Sequence, residues 1–338
     1  MPGTALISFA LLALVPLLHS CDEFAVWLVP AAFLLVFALL EAALGEERDP
    51  KPQPGSPALG RLPIWLYIIA QLAVIGWGIA KAGESAAGGA GLAMATGVAA
   101  GIFGMLAAHE MIHSRSRVER ALGLAMLAGV SYMHFRISHI FGHHRRAATA
   151  EDPATARKDE GAYRFALRSV AGQWLEAWRF ERMRTRGRGR SWLANRVNRY
   201  AAISVALYLG IGTGFGMQGV VFQLTQSAVA ILILELFNYV AHYGLERPRL
   251  ADGRPAPMKA LHSWNATRRF DAWALFNGGY HSHHHRRPSA TYRNLRCDAD
   301  APVLPLGLGG SILLALVPPL WRRLMNPRVE HWTAPRLP

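Results

Sequence analysis

The apolar residues of this chain are bunched in long runs, so the unit to count is the membrane span. A bilayer crossing needs roughly 20 mostly apolar residues. The runs 4–20, 24–43, 62–80 and 86–108 qualify. Residues 200–234 then carry no charge at all. As one helix this stretch would be about 50 Å long, too long for one crossing. GTGFGMQG at 212–219 offers a turn, which predicts two spans, about 199–216 and 218–240. The first run lacks a basic leader and a second follows closely, so the pair reads as a transmembrane hairpin rather than a signal peptide. The run 301–321 has the length of a span but contains four prolines and three glycines, and is expected to be interfacial or re-entrant. The shorter apolar run 121–133 suits an interfacial helix.

The expected fold is therefore an all-α integral membrane protein with six transmembrane helices and a cytoplasmic cap. Four helices occupy 1–108, a cap segment 109–198, a transmembrane hairpin 199–240, and a C-terminal cytoplasmic segment 241–338. Charge sets the orientation. The chain has 36 Lys and Arg against 22 Asp and Glu, a formal net charge of +14. Only Arg48, Lys51, Arg61 and Lys81 precede position 109. By the positive-inside rule both termini and the polar segments face the cytoplasm, as in a multi-pass bacterial-type inner membrane protein. The Pro-rich loop 46–57 and the basic run 179–190 lie on that side. The basic run reads as a face for anionic lipid headgroups or for an acidic protein. No recognised nucleic-acid motif accompanies the charge. Cys21 and Cys297 fall on opposite sides of this topology and cannot pair.

Histidine is where the chemistry concentrates. HEMIH at 109–113, HIFGHH at 139–144 and HSHHH at 281–285 hold nine of the 14 histidines. Neutral imidazole is the commonest metal-ligating side chain, and clustered imidazoles repel when protonated. His109 and His113 are four apart at the end of a span, on one helix face. His139 and His143 have the same spacing and should share a face, with His144 turned about 100° away. His281, His284 and His285 form the last group, and His242 follows the sixth span as His109 follows the fourth. These nine candidates fit two metals with open positions better than one. Imidazole alone does not choose among iron, zinc, copper and nickel. Glu110, His134, His262 and His283 are expected to lie around the ligands and orient them. Two other classes compete. HEMIH also satisfies the zinc-protease pattern H-E-x-x-H, with Glu110 as general base, and a histidine-rich metal transporter is possible on composition. A protease would leave six or seven histidines unexplained, and a transporter would place ligands mid-membrane rather than at span ends.

The motifs together resemble the integral-membrane alkane hydroxylases, or alkane 1-monooxygenases, of the fatty-acid desaturase–hydroxylase superfamily. HEMIH looks like that family's first box, and SHIFGHH with ATAEDPATAR like the second. NYVAHYGLERP is similar to its NYxEHYG motif, and HSWNAT with YHSHHHRRPSATYRNLR to its closing boxes. The resemblance runs through most of the chain from about residue 60. It implies a non-haem enzyme with two iron ions that uses O2 and two electrons to hydroxylate a terminal C–H bond of an alkane or similar hydrophobic substrate drawn from the bilayer. Rubredoxin would supply the electrons, with rubredoxin reductase and NADH upstream. Methyl-substituted aromatics or fatty acids are alternative substrates. The family's iron-binding histidines map onto the nine positions above. This chain departs from the pattern at Ser138, Ala241 and His283, each where the family keeps an acid.

Overall fold

The computed structural model describes residues 2–50, 57–186 and 192–334. Parts of the loop 46–57 and of the basic run 179–190 lie outside these residues, as does the tail after 334. The described residues are helical, with no β-sheet among them. In order the main helices are α1 (Pro2–Cys21), α2 (Leu28–Ala43), α3 (Pro57–Lys81), α4 (Ala86–Ala99), α5 (Met105–Ile112) and α6 (Arg117–Gly129). There follow α7 (Ala162–Thr185), α8 (Arg196–His242), α9 (Arg269–Ala274), α10 (His281–Arg286), α11 (Gly307–Ala315) and α12 (Pro318–Thr333).

Among the described residues three helical stretches are long and apolar enough to cross a membrane: Gly60–Lys81, Ala87–Ile112 and Arg196–His242. The bent pair Ala25–Ala31 and Leu35–Ala43, with 43° between its halves, would be a fourth. Leu6–Cys21 is apolar but shorter. The run 301–321 does not form one span; it divides into α11 and the start of α12. The helix α8 is not continuous. Gly216 adopts φ 67° and ψ −170°, a conformation open mainly to glycine. A methyl group on Gly219 would meet Ile211 Cγ2 at 3.0 Å, and one on Gly212 would meet Val220 Cγ2 at 3.5 Å. Residues eight apart are about 12 Å apart in a straight helix, so the chain doubles back at Gly216. The turn expected from GTGFGMQG lies there.

The chain divides into two compact units. The first comprises Met1–Leu35, Pro54–Ile137 and Glu176–Leu234. Its centre is the stretch from α4 to α5, joined through a π-helical turn, Ala100–Gly104. Small residues on this stretch admit the second arm of α8. A methyl on Gly97 would stand 2.7 Å from the Gln226 carbonyl oxygen, and one on Gly101 2.8 Å from Ile233 Cβ. The Gly- and Ala-rich composition thus serves close helix approach at these positions. Several polar side chains inside the unit are paired. Tyr67 donates to Gln71 Oε1 (2.9 Å), and Gln223 and Gln226 donate to the Gly129 carbonyl (2.8 and 2.7 Å). Ser116 caps α6, and Glu119 on its first turn accepts from Arg61 at 2.8 Å. Glu181 accepts from Arg184 and Arg196, which ties the end of α7 to the start of α8. Burial opposes ionisation of Glu181, but these hydrogen bonds outweigh it and hold the carboxyl at about 2.

The second unit comprises Val36–Gln53, Ser138–Leu175 and Glu235–Pro338. Loops bind it together more than helix faces do. Trp264 donates its amide to the Ala241 carbonyl (2.8 Å) and its indole to the Tyr243 carbonyl (2.9 Å). Gly244, at φ 69°, donates to the Ala156 carbonyl. At the start of α11, the amides of Gly309 and Gly310 donate to Glu41 (2.6 and 2.9 Å), and Leu308 donates to Asp271 (3.2 Å). Negative groups are favoured at a helix N-terminus. Burial, then a hydrogen bond to Glu41 and its charge, push the Asp271 carboxyl well above its ordinary value.

Candidate metal centre

Seven of the nine expected histidines lie in the second unit and sort into two groups. His143, His242, His281 and His285 form one, all buried, with ring nitrogens within 4.8 Å of one another. His281 Nε2 stands 3.0 Å from His242 Nε2 and 3.1 Å from His285 Nε2. His139, His144 and His284 form the other. His144 Nε2 stands 2.9 Å from His139 Nε2 and 3.1 Å from His284 Nε2. In the first unit, His109 and His113 place their rings 4.9 Å apart on consecutive turns at the end of α5.

The local backbone explains the sorting. Residues Ser138–His143 form a π-helical turn, flanked by short α-helical turns. A π turn has i→i+5 pairing and occurs often at functional sites. It brings His139 together with His144, five residues on, and sends His143 to the other group. The expectation that His139 and His143 act from a shared face is corrected by this wider turn. On α10 the ordinary period holds: His281 and His285 join one group, and His284, about 100° away, joins the other.

These distances can be tested against a bound cation. A nitrogen ligand stands about 2.1 Å from a metal such as zinc, so ligands at right angles are about 3.0 Å apart. The observed nitrogen separations match. They cannot all be hydrogen bonds, because a single Nε2 has one proton or one lone pair to offer two neighbours. Burial lowers the His281 and His285 pKa values well below the ordinary value, with neighbouring histidines adding to the shift. The rings are thus neutral, as metal ligation requires. His143 carries the clearest sign. Its Nδ1 donates to Asp152 Oδ2 at 2.8 Å, and its buried Nε2 has no hydrogen-bond partner. The donor set fits a metal ion.

Asp152 was missed by sequence reasoning, although it lies in the ATAEDPATAR stretch that follows the second box. It is fully buried and also accepts from Thr155 Oγ1 (2.7 Å) and the Ala154 amide (3.2 Å). Burial would raise its pKa, but His143 and these donors outweigh burial and hold it below the usual value. Asn265 is a second omission. Its Oδ1 accepts from the Ser282 amide (3.0 Å) and hydroxyl (2.9 Å), and its Nδ2 donates to the Pro302 carbonyl (3.0 Å). It therefore anchors the start of α10. Ser263 donates to the carbonyl of Ala241, the residue before His242. The HSWN segment thus holds two ligand-bearing pieces of backbone.

The four residues expected around the ligands have different surroundings. His262 Nδ1 accepts from the Lys259 amide (3.1 Å) and closes a local 3₁₀ turn. Burial, with Arg247 and Lys259 nearby, lowers its pKa to about 4. His134 packs against Tyr132, ring centroids 4.5 Å apart, and burial lowers its pKa to about 4. His283 belongs to neither group and lines a cavity of about 320 Å³ with Asp49, Arg287, Arg293 and Arg296. Glu110 is half-buried on α5, between His109 and His113 in sequence.

Apolar helices of spanning length and histidine groups able to hold metal define a helical membrane protein with a candidate metal centre. The sequence profile of the fatty acid desaturase family matches residues 84–301. Alkane 1-monooxygenase 2 of Pseudomonas aeruginosa is 34% identical over 322 residues, covering 91% of this chain and 85% of that protein. Alkane 1-monooxygenase 1 of the same organism is 39% identical over 247 residues, 72% of this chain and 64% of that longer protein. The XylM hydroxylase component of the xylene/toluene monooxygenase of Pseudomonas putida is 28% identical over 232 residues, 66% of this chain and 60% of that protein. The chain belongs to the fatty acid desaturase family, in its alkane 1-monooxygenase branch, a group of oxygen-dependent oxidoreductases.

Proposed function

We propose that this chain is a membrane non-haem di-iron monooxygenase that hydroxylates a terminal C–H bond of an alkane or similar hydrophobic substrate. The observation that carries this reading is the convergence of imidazole nitrogens, about 3 Å apart, in two groups joined by α10. One ion would be held by His143, His242, His281 and His285. The other would be held by His139, His144 and His284, and the resemblance to the family adds His109 and His113 to the proposed ligands. Bound iron would supply oxygen activation. The chain's own residues orient the ligands: Asp152 fixes the His143 tautomer, and Asn265 holds the start of α10. Burial of the rings keeps them neutral and excludes water.

The reading includes six crossings. The arms of α8 on either side of Gly216 would be two, α1 to α4–α5 the other four, with both termini and the histidines on the cytoplasmic side of an inner membrane. Electrons would come from rubredoxin, itself reduced by an NADH-dependent rubredoxin reductase. The likeness to a xylene/toluene monooxygenase component supports methyl-substituted aromatics as a second substrate class. The zinc-protease alternative needs one ion and Glu110, and gives the seven grouped histidines of the second unit no role.

Two measurements test the proposal. Metal analysis of purified protein should give two irons per chain; a single zinc would support the protease. Cells supplied with rubredoxin should convert alkanes of several lengths, or xylene, to the corresponding alcohols. His284→Ala should abolish this, and full activity of that variant would overturn the di-iron reading. Glu110→Gln should be inactive only for a protease.

A further inference from the structure

The second unit contains a buried chain of polar side chains that are not themselves candidate metal ligands. Ser138 Oγ donates to Gln173 Oε1 at 3.4 Å. Gln173 Nε2 donates to Ser169 Oγ (3.0 Å) and to Glu235 Oε1 (2.8 Å). Asn238 Nδ2 donates to Glu235 Oε2 at 3.4 Å. All five side chains are buried. Only an NH2 group can donate to both Ser169 and Glu235, which fixes the Gln173 amide, and its oxygen then faces Ser138. Gln173 and Asn238 both donate to Glu235. Glu235 accepts at both carboxyl oxygens, a role that an ionised carboxylate can fill.

The two ends of this chain lie on ligand-bearing backbone. Ser138 is the first residue of the π turn that carries His139 and His143. Glu235 precedes His242 by seven residues on α8, almost two helical turns, so both lie on one face of that helix. Neutral imidazoles leave the charge of bound divalent ions uncompensated, and nearby carboxylates offset it. Ser138 itself carries no charge.

We propose that Glu235 is a positioning residue of the histidine centre, supplying through Gln173 and Ser138 the negative charge and the orientation that Ser138 alone does not. It acts on the π turn through the hydrogen-bonded chain, and on His242 along the face of α8. The proposal rests on the metal reading above.

The test is a cobalt(II) titration of metal-free protein in detergent, read by the visible absorption of the bound ion. Wild type, Glu235→Gln, Gln173→Met and the exchange Glu235→Gln/Gln173→Glu are compared, with thermal melting of each metal-free form as the folding control. Glu235→Gln should bind cobalt about 10- to 100-fold more weakly at an unchanged metal-free melting temperature. Gln173→Met, which cuts the chain and keeps Glu235, should also weaken binding. The exchange returns a carboxylate to the chain without changing its shape and should restore affinity. Wild-type affinity in both Glu235→Gln and Gln173→Met overturns the proposal, as does a loss that the exchange leaves uncorrected. Absence of cobalt binding by the wild type would instead overturn the metal reading, and this proposal with it.

Discussion

The two histidine groups of the second unit share a helix but are held differently. In the group of His143, His242, His281 and His285 every ring is buried. The His143 ring is fixed from behind by a buried carboxylate that itself accepts two further hydrogen bonds. In the group of His139, His144 and His284, His144 is half-buried. The first group is therefore preorganised by its surroundings, and its ion should exchange slowly. The second includes a half-buried ring and is less shielded, so its ion should exchange faster. Equal ligand chemistry need not mean equal retention; what lies behind the rings decides it.

The hardest way to break this contrast is His281→Ala. His281 nitrogen contacts two others of its group, so its loss should cost more than the 10- to 100-fold in affinity typical of an orienting partner. Metal content should fall by about one ion per chain. Asp152→Asn should follow, with about 10- to 100-fold weaker binding at the buried group and little change at the other, read by competitive metal titration. Timed chelation should then show two phases, with His144→Ala removing the faster. A single phase would erase the distinction between the groups.

The smallest expected effect is at Asp271, a carboxyl belonging to neither group. Its pKa is raised in the folded protein. Its contribution to stability is therefore greatest below about pH 4, the ordinary carboxyl value, and is lost as pH rises through the folded value. Asp271→Asn removes that dependence. The melting temperature of the variant relative to wild type should rise between pH 5 and 8, by at most about 1.4 kcal/mol of stability per pH unit. Metal content should stay unchanged.

Much of the site was legible because metal chemistry restricts residue type. The nine histidines stood out by clustering, and seven of them converge within one unit. The long uncharged run with glycines at 212–219 announced a reversal, because no membrane is thick enough for one helix of that length. The sorting of the histidines was not legible. Spacing of four implies an α-helical face, and only the π turn, an extra residue taken up by local backbone, pairs His139 with His144. Asp152 and Asn265 were hidden for another reason. Each acts across the fold, and an isolated Asp or Asn carries no periodic signal of its partner. His262 attracted attention by type, yet its visible role is to close a turn, while its neighbours Ser263, Trp264 and Asn265 clamp the backbone.

The reversal at Gly216 also acts as a ruler. Gly216 leaves helical geometry, which frees backbone groups around it, and Phe215 and Met217 are exposed. Unpaired backbone groups are not tolerated within hydrocarbon, so on the proposed topology this turn must reach the far water–lipid boundary. From there to His242 the helix runs 25 residues, about 38 Å. The hydrocarbon layer takes up about 30 Å of that. On that topology His242 lies roughly one and a half turns beyond the acyl chains, in a zone that apolar and water-borne molecules can both reach.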